Sequence, residues 1–281
     1  MIELGNALHQ DLADRYVRGA DVPLQDLRKV WRDTTVATAG NNYEMAKELL
    51  DTVRAVNTTR GDSRTLRVLL GDPPIDWNQV EERADHQRYF AYRQSHPVAV
   101  VIKETLARQR KALVMYGTLH LQRRNIQSNY DMEAYQVQTI VGLLDRAAPT
   151  RVFTIWEAGP DELGDEAKSW TPPRLAQVRG TALGAADFAM FVPPRVADQR
   201  GTFASKFLPI PASEFRRVSV EEQMDAVLYL GARTPAAASH EVPAELCREA
   251  GFVEEQVRRI LLAAPKIEAE RLKDYCSESA R

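Results

Sequence analysis

The 281 residues carry 37 Lys and Arg against 39 Asp and Glu, a formal net charge of -2, so there is no global field to gather nucleic acid or anionic membrane. With 44% hydrophobic and 27% charged residues the composition is ordinary for a globular protein and excludes wholesale disorder. No apolar run approaches the roughly 18 residues of a membrane helix, and MIELGNALHQDLADR has no basic segment followed by an apolar one, so neither a membrane span nor a signal peptide is read.

Met1 to Leu4, ending at Gly5-Asn6, reads as the tail of a buried strand. Domains seldom open on an uncapped core strand, so the expectation is a chain lacking an N-terminal strand–helix unit. Met45, Leu49, Leu50 and Val53 predict a helix over Asn42 to Asn57. The clearest strand is Leu66 to Leu70, stopped by Gly71-Asp72-Pro73-Pro74. A helix is predicted over Val98 to Arg110, then a strand from Ala112 to Tyr116 ending at Gly117. Next come a helix over Met132 to Ala148 and a strand from Arg151 to Trp156. Residues 161–222 hold Pro172-Pro173, Pro193-Pro194, Pro209 and Pro211, and read as a long irregular Pro-rich excursion with a short strand at Phe188 to Val192. The strand Ala226 to Leu230 closes at Gly231, and Glu241 to Ala264 reads as helix divided by Gly251. This alternation predicts a single α/β domain over residues 1–281, with a mostly parallel central sheet flanked by helices. Cys247 and Cys276 show no metal-ligand spacing, so neither a disulfide framework nor a cysteine zinc site is expected.

In open parallel sheets, ligands bind outside the carboxyl ends of the strands. The polar residues there are Glu3 and Asn6, then Asp72, Asp76 and Trp77, then His120 with Arg123 and Arg124 behind it, and Glu157. Carboxylates with one histidine suit a metal or acid–base work. His120 follows a strand, a glycine and a two-residue step, which fits a metal ligand, a general base or an axial haem ligand, or else a plain loop histidine. Asp72 reads as a turn cap, and the proline-stiffened loop as a holder for Asp76 and Trp77. Arg88 opens a helical stretch; aimed into a pocket it would serve an anionic group, otherwise it is solvated. His86 and His96 read as surface residues, and His9 and His240 stand apart from other polar convergence. The chain has no GxGxxG, GxxxxGK[ST], GxSxG or HExxH, which argues against nucleotide binding, serine-hydrolase and zincin chemistry. The pairs Arg123-Arg124 and Arg216-Arg217 are too small for a nucleic-acid footprint.

The succession RVLLGDPPIDW, RYFAY, KALVMYGTLHL and DAVLYLG resembles a group of uncharacterised bacterial proteins. These look related to the superfamily of ChaN-like haem-binding proteins, erythromycin esterase-like hydrolases and Tiki metalloproteases. The resemblance implies an α/β core with a pocket at the strand carboxyl ends. It implies a strand-borne glutamate, which Glu3 would match, and a Gly-x-x-His motif, which Gly117-Thr118-Leu119-His120 matches. Two features depart from it. The opening Gly-Glu-x-x-His element is missing, and the Arg-Asp pair is not intact in Asp85-His86-Gln87-Arg88.

Three functions follow as expectations. The first is a hydrolase, esterase-like or metal-dependent, acting on a small-molecule substrate, in which His120, Glu3 and Asp76 are catalytic: His120 is a base or a ligand of a divalent metal, and the carboxylates orient it or share the metal. The second is a binding protein for haem or another organic ligand, with Tyr116 and His120 as iron ligands and Trp77, Arg88 and Glu157 lining the pocket. The third is an inactive, truncated family member. As it stands the chain reads as cytoplasmic, although a missing N-terminus would have carried any signal peptide.

Overall fold

A computed structural model describes residues 1–37, 43–60, 65–117, 120–123, 139–191, 218–232, 242, 244–264 and 266–279. The protein has mixed α/β structure and divides into two units, Met1–Met115 with Ala237–Arg281, and Tyr116–Ala236.

In the first unit the opening apolar residues form strand β1 (Ile2–Asn6), which runs parallel to β2 (Leu70–Asp72), with Ile2 opposite Leu70 and Asn6 opposite Asp72. The close approach of the two strands needs Gly5, because a Cβ there would lie 2.8 Å from Leu70 Cδ2. The strand expected at Leu66 to Leu70 begins to pair only at its last residue and continues into Gly71 and Asp72. The strand expected at Ala112 to Tyr116 contributes one bridge, Met115 with Ile2. Helices cover this sheet. Gln10–Val17, Tyr43–Arg60, Arg83–Phe90, Ser95–Glu104, Phe252–Ala263 and Lys266–Ser279 are the longer ones in the first half and at the end of the chain. Gly251, at φ +76°, divides Ala244–Cys247 from Phe252–Ala263, as the sequence predicts; the left-handed region accepts glycine without strain. One core joins Ile2, Leu27, Val30, Leu50, Leu70, Ile75, Trp77, Ile260 and Leu272.

The expectation of no disulfide is corrected here. Cys247 and Cys276 are bonded, and they tie Ala244–Cys247 to Lys266–Ser279. Two cysteines 29 residues apart carry no spacing signal, and only the antiparallel return of the last helix brings their Cα atoms to 5.2 Å.

In the second unit β3 (Ile155–Glu157) pairs in parallel with β5 (Ala226–Tyr229), and β4 (Arg174–Gln177) pairs antiparallel on the other side of β5. The described residues therefore hold two small sheets, one parallel and one mixed, in place of a single mostly parallel sheet. The stretch 161–222 contains more structure than expected. It supplies β4 and the short helices Ala182–Ala185 and Val220–Gln223, while 192–217 lie outside the described residues. The strand expected at Phe188 to Val192 is a single turn over Phe188–Met190, because Phe188 turns into the core with its ring 4.9 Å from that of Trp156. Gly184 is required where it stands, since a Cβ would lie 2.0 Å from the Val178 carbonyl oxygen. The helix expected over Met132 to Ala148 is seen as Ile140–Ala147, capped by Thr139, whose Oγ1 accepts from Gly142 N at 3.0 Å; 132–138 lie outside the described residues. Among the described residues no helix is long and apolar enough to cross a membrane.

Candidate functional site

β1 carries Glu3 near its start and Asn6 at its carboxyl end, and β2 ends on Asp72. Parallel pairing sets Asn6 opposite Asp72, and the first unit closes over these residues from two directions. From one side comes Thr35, after the helix Lys29–Arg32, whose N–H and Oγ1 donate to Asp72 at 2.6 and 2.7 Å. From the other comes Arg93, in the turn between Arg83–Phe90 and Ser95–Glu104. Its Nη2 donates to Glu3 Oε1 at 2.8 Å and its Nε reaches Asp72 Oδ1 at 3.3 Å. Arg93 thus spans two carboxylates that would otherwise repel. Its guanidinium also sits over the Phe90 ring, 5.3 Å from the centroid.

The three charged groups differ in exposure. The Asp72 side chain is sealed at 1%, whereas Arg93 retains 13% and Glu3 20%. Burial pushes the Asp72 carboxyl up to about 6, against the pull of Arg93 and of the two Thr35 donors. A second layer fixes Thr35. Nε2 of His86 lies 2.8 Å from the Thr35 carbonyl oxygen, which can only accept, so His86 carries its proton on Nε2. Burial holds His86 below the ordinary histidine range. Its ring stacks on Trp77 with centroids 5.6 Å apart. Asn6 is fully buried and donates to the carbonyls of Asp33 and Ile75 at 2.7 and 2.8 Å, so it holds the loops around the site.

The residues singled out from the sequence fall in different places. Glu3 lies in this cluster. Asp76 caps the turn Trp77–Gln79, accepting from Asn78 N at 3.0 Å and from Gln79 Nε2 at 3.0 Å. Trp77 is not a pocket wall. It is 3% exposed, and its Nε1 donates to the carbonyls of Asp33 and Thr34 at 3.2 Å each, which pins the chain before Thr35. Arg88 points to solvent, 75% exposed and 3.4 Å from Asp85, because the inner face of its helix is taken by His86. His86 is buried rather than on the surface, His96 is half-buried, and His9 joins Asp33 at 3.2 Å; each corrects the sequence reading. His240 and Arg124 lie outside the described residues.

In the second unit, Tyr116 and His120 meet edge to face with ring centroids 5.7 Å apart, and His120 N donates to the Gly117 carbonyl at 2.9 Å. Thr118 and Leu119 between them lie outside the described residues. Glu157 ends β3 exposed to solvent. Arg123 is a structural tie, bonded to Asp145 at 3.1 Å and Asp225 at 2.5 Å. Among the described residues no three metal-binding side chains converge.

Sequence reasoning missed Arg93, Thr35 and the burial of Asp72. The strand-end rule pointed to Asp72, but its neighbouring prolines suggested a turn cap. Arg93 follows Arg88 by five residues in RYFAYR, and only the turn at 91–94 aims it inward. No protein family, curated protein or solved structure matches the chain.

Proposed function

We propose that the chain is an α/β protein of the ChaN-like and erythromycin esterase-like superfamily, with a hydrolase-type site in its first unit. The observation that carries this reading is Arg93 bridging Glu3 and Asp72 across a parallel strand pair. In this reading Glu3, the more exposed carboxylate, exchanges a proton with the substrate or its water. Arg93 faces the negative charge that develops on the substrate oxygen. Asp72 is a positioning residue: sealed beneath Arg93, it fixes the guanidinium and does not touch substrate.

A panel of chromogenic esters, amides and lactones tests the proposal. Glu3→Gln is expected to lower kcat/KM by about 100-fold, the scale of a lost acid–base group. Arg93→Lys should lower kcat by a smaller factor, because one ammonium cannot bridge two carboxylates. The solvent-facing Arg88→Ala should match the parent. A parent chain inert towards the whole panel, or a Glu3→Gln variant of full activity and unchanged circular dichroism, would overturn the reading.

A second reading rests on the contact of Tyr116 with His120 in the second unit. It is ligand binding without chemistry, haem being the ligand these two side chains would suit. A haem titration that leaves the Soret band unshifted, or shifts it equally in His120→Ala, removes it.

A further inference from the structure

Outside the Glu3–Arg93–Asp72 cluster, the first unit sets a histidine against a second carboxylate. His9 closes the turn Ala7–His9 that follows β1, and the fully buried Asn6 caps this turn, accepting from Leu8 N at 2.9 Å. His9 stands just before helix Gln10–Val17, yet its ring does not cap that helix. It turns instead to Asp33, with Nε2 at 3.2 Å from Oδ2. Asp33 is itself held in place. Its carbonyl accepts from Asn6 Nδ2 at 2.7 Å and from Trp77 Nε1 at 3.2 Å, and its Oδ1 accepts from Arg259 Nη1 at 2.6 Å. The hydrogen bond from His9 and the charge of Arg259 outweigh burial and keep the carboxyl ionised at neutral pH, so it can only accept. Nε2 of His9 therefore carries a proton, and in the neutral ring the lone pair is on Nδ1. Nδ1 has no hydrogen-bond partner among the described residues, and the side chain keeps 16% exposure. A lone pair open to solvent, on a ring whose other nitrogen is fixed by a carboxylate, is the arrangement of a positioned nucleophile or base.

The same carboxylate brings a cation beside the ring. Arg32 approaches Asp33 Oδ1 through Nε at 3.4 Å, and its two terminal nitrogens have no partner among the described residues. His9 and Arg32 thus flank one carboxylate from its two oxygens, one offering an electron pair and the other offering charged donors. That combination suits an electrophilic carbonyl, whose oxygen turns negative when its carbon is attacked. A metal site would need further ligands, and among the described residues no three metal-binding side chains converge.

We propose that His9 is a nucleophile that accepts an acyl group at Nδ1, with Asp33 positioning its ring and Arg32 facing the carbonyl oxygen. The donor class is an activated acyl compound: an aryl ester, a thioester or an acyl phosphate. Nδ1 bonds to the carbonyl carbon, and the leaving group departs with its electron pair while the Nε2 proton passes to water. Water then attacks the acyl-imidazole, the carbon–nitrogen bond breaks, and a carboxylic acid is released as Nε2 regains its proton.

The test labels the whole chain with diethyl pyrocarbonate, which leaves a stable acyl group on imidazole, and follows each histidine by peptide mass spectrometry. His9 is expected to react faster in the folded chain than in the chain unfolded in urea. Asp33→Asn should slow that reaction by about 10- to 100-fold, the scale of losing a partner that orients a ring. Arg32→Gln should slow it by about tenfold, the loss of one charge-assisted contact. With 4-nitrophenyl acetate and excess protein, the fast release of nitrophenolate should vanish in His9→Gln, whose amide still donates to Asp33. The imidazole ¹⁵N shifts of the unaltered chain give a readout that needs no variant to fold, and Nε2 protonated with Nδ1 bare is expected. His9 labelled no faster in the folded chain than in the unfolded one, a rate unchanged in Asp33→Asn, or a neutral ring protonated on Nδ1 would each overturn the proposal. The readout is acylation of His9 itself, so it is decided separately from the turnover that tests Glu3.

Discussion

Two aspartates in the first unit, Asp33 part-buried and Asp72 buried, stand 39 positions apart and have been driven in opposite directions. Asp33 has three basic neighbours, His9 at 3.2 Å, Arg259 at 2.6 Å and Arg32 at 3.4 Å, and its side chain keeps 14% exposure. Burial would raise it, but the hydrogen bond from His9 and the charge of Arg259 outweigh burial and hold it at about 2. Asp72 has one arginine, at 3.3 Å and shared with Glu3, and is sealed at 1%. There burial wins, and the group sits at about 6. The comparison separates two uses of one side chain. A carboxylate wrapped by cations is an anchor. One that is sealed, with neutral donors and a single shared cation, keeps a titration near physiological pH.

The strongest way to break this comparison is to remove each arginine. Arg259→Leu takes the nearest of three basic neighbours from Asp33 and one of two from Glu255, two charge-assisted hydrogen bonds together, so a loss of about 3–5 kcal/mol is expected at pH 7 by urea unfolding. Arg93→Leu should cost markedly less at pH 5 than at pH 7.5, because Asp72 can take up a proton instead of remaining a bare charge. Equal losses at both pH values would show that Asp72 does not titrate there.

Reduction of the Cys247–Cys276 bond comes next in size. It should lower stability by about 2–4 kcal/mol, read as the difference in urea midpoint with and without reductant. Because the bond belongs to the helices near Arg259, it should leave the pH response of Asp72 in place.

The pH response itself sharpens the contrast. Asp72 titrates above its ordinary 3.8 in the folded state, so its contribution is complete below about pH 4 and is lost as pH rises through 6. Asp33 titrates below 3.8, so its contribution is present above about pH 4 and is lost as pH falls through 2. Each span of roughly two units corresponds to about 2–3 kcal/mol. Asp72→Asn should therefore flatten the stability profile between pH 4 and 6, and Asp33→Asn the profile between pH 2 and 4. The smallest effect expected is that of Arg88→Ala, within about 0.5 kcal/mol, since an exposed side chain 3.4 Å from one half-buried partner contributes little.

Local signals carried much of the fold. The runs at Met1–Leu4 and Ala226–Leu230 became β1 and β5 within about two residues, and Gly251 divides the last helical stretch as its sequence suggests. The general expectation of helices and strands in one chain holds, while the described residues show one small parallel and one small mixed sheet, and a strand such as β4 is set by a partner distant in sequence. RLAQ has no strand alternation, and it is extended because Tyr229 to Ala226 lies beside it in register. The site shows the same limit. Glu3 stands near the start of β1, not at the carboxyl end where the strand-end rule sets it, and it joins the cluster through Arg93. Arg93 could not be told from Arg88, because both are arginines in a polar helical segment and the difference is a turn of four residues. Cys247 and Cys276 likewise meet only through tertiary structure.

The first unit is assembled from chain that is not contiguous, and this has a consequence for biosynthesis. Ile2, Leu50 and Leu70 share a core with Ile260 and Leu272, while 116–236 form the other unit. On the ribosome, residues 1–115 emerge with their apolar faces uncovered and must wait for the whole intervening unit before 237–281 arrive to cover them. Closing so long a loop makes this core the slow one, and the nascent first unit the segment most in need of a chaperone. The unit that carries Glu3 is thus begun first and finished last.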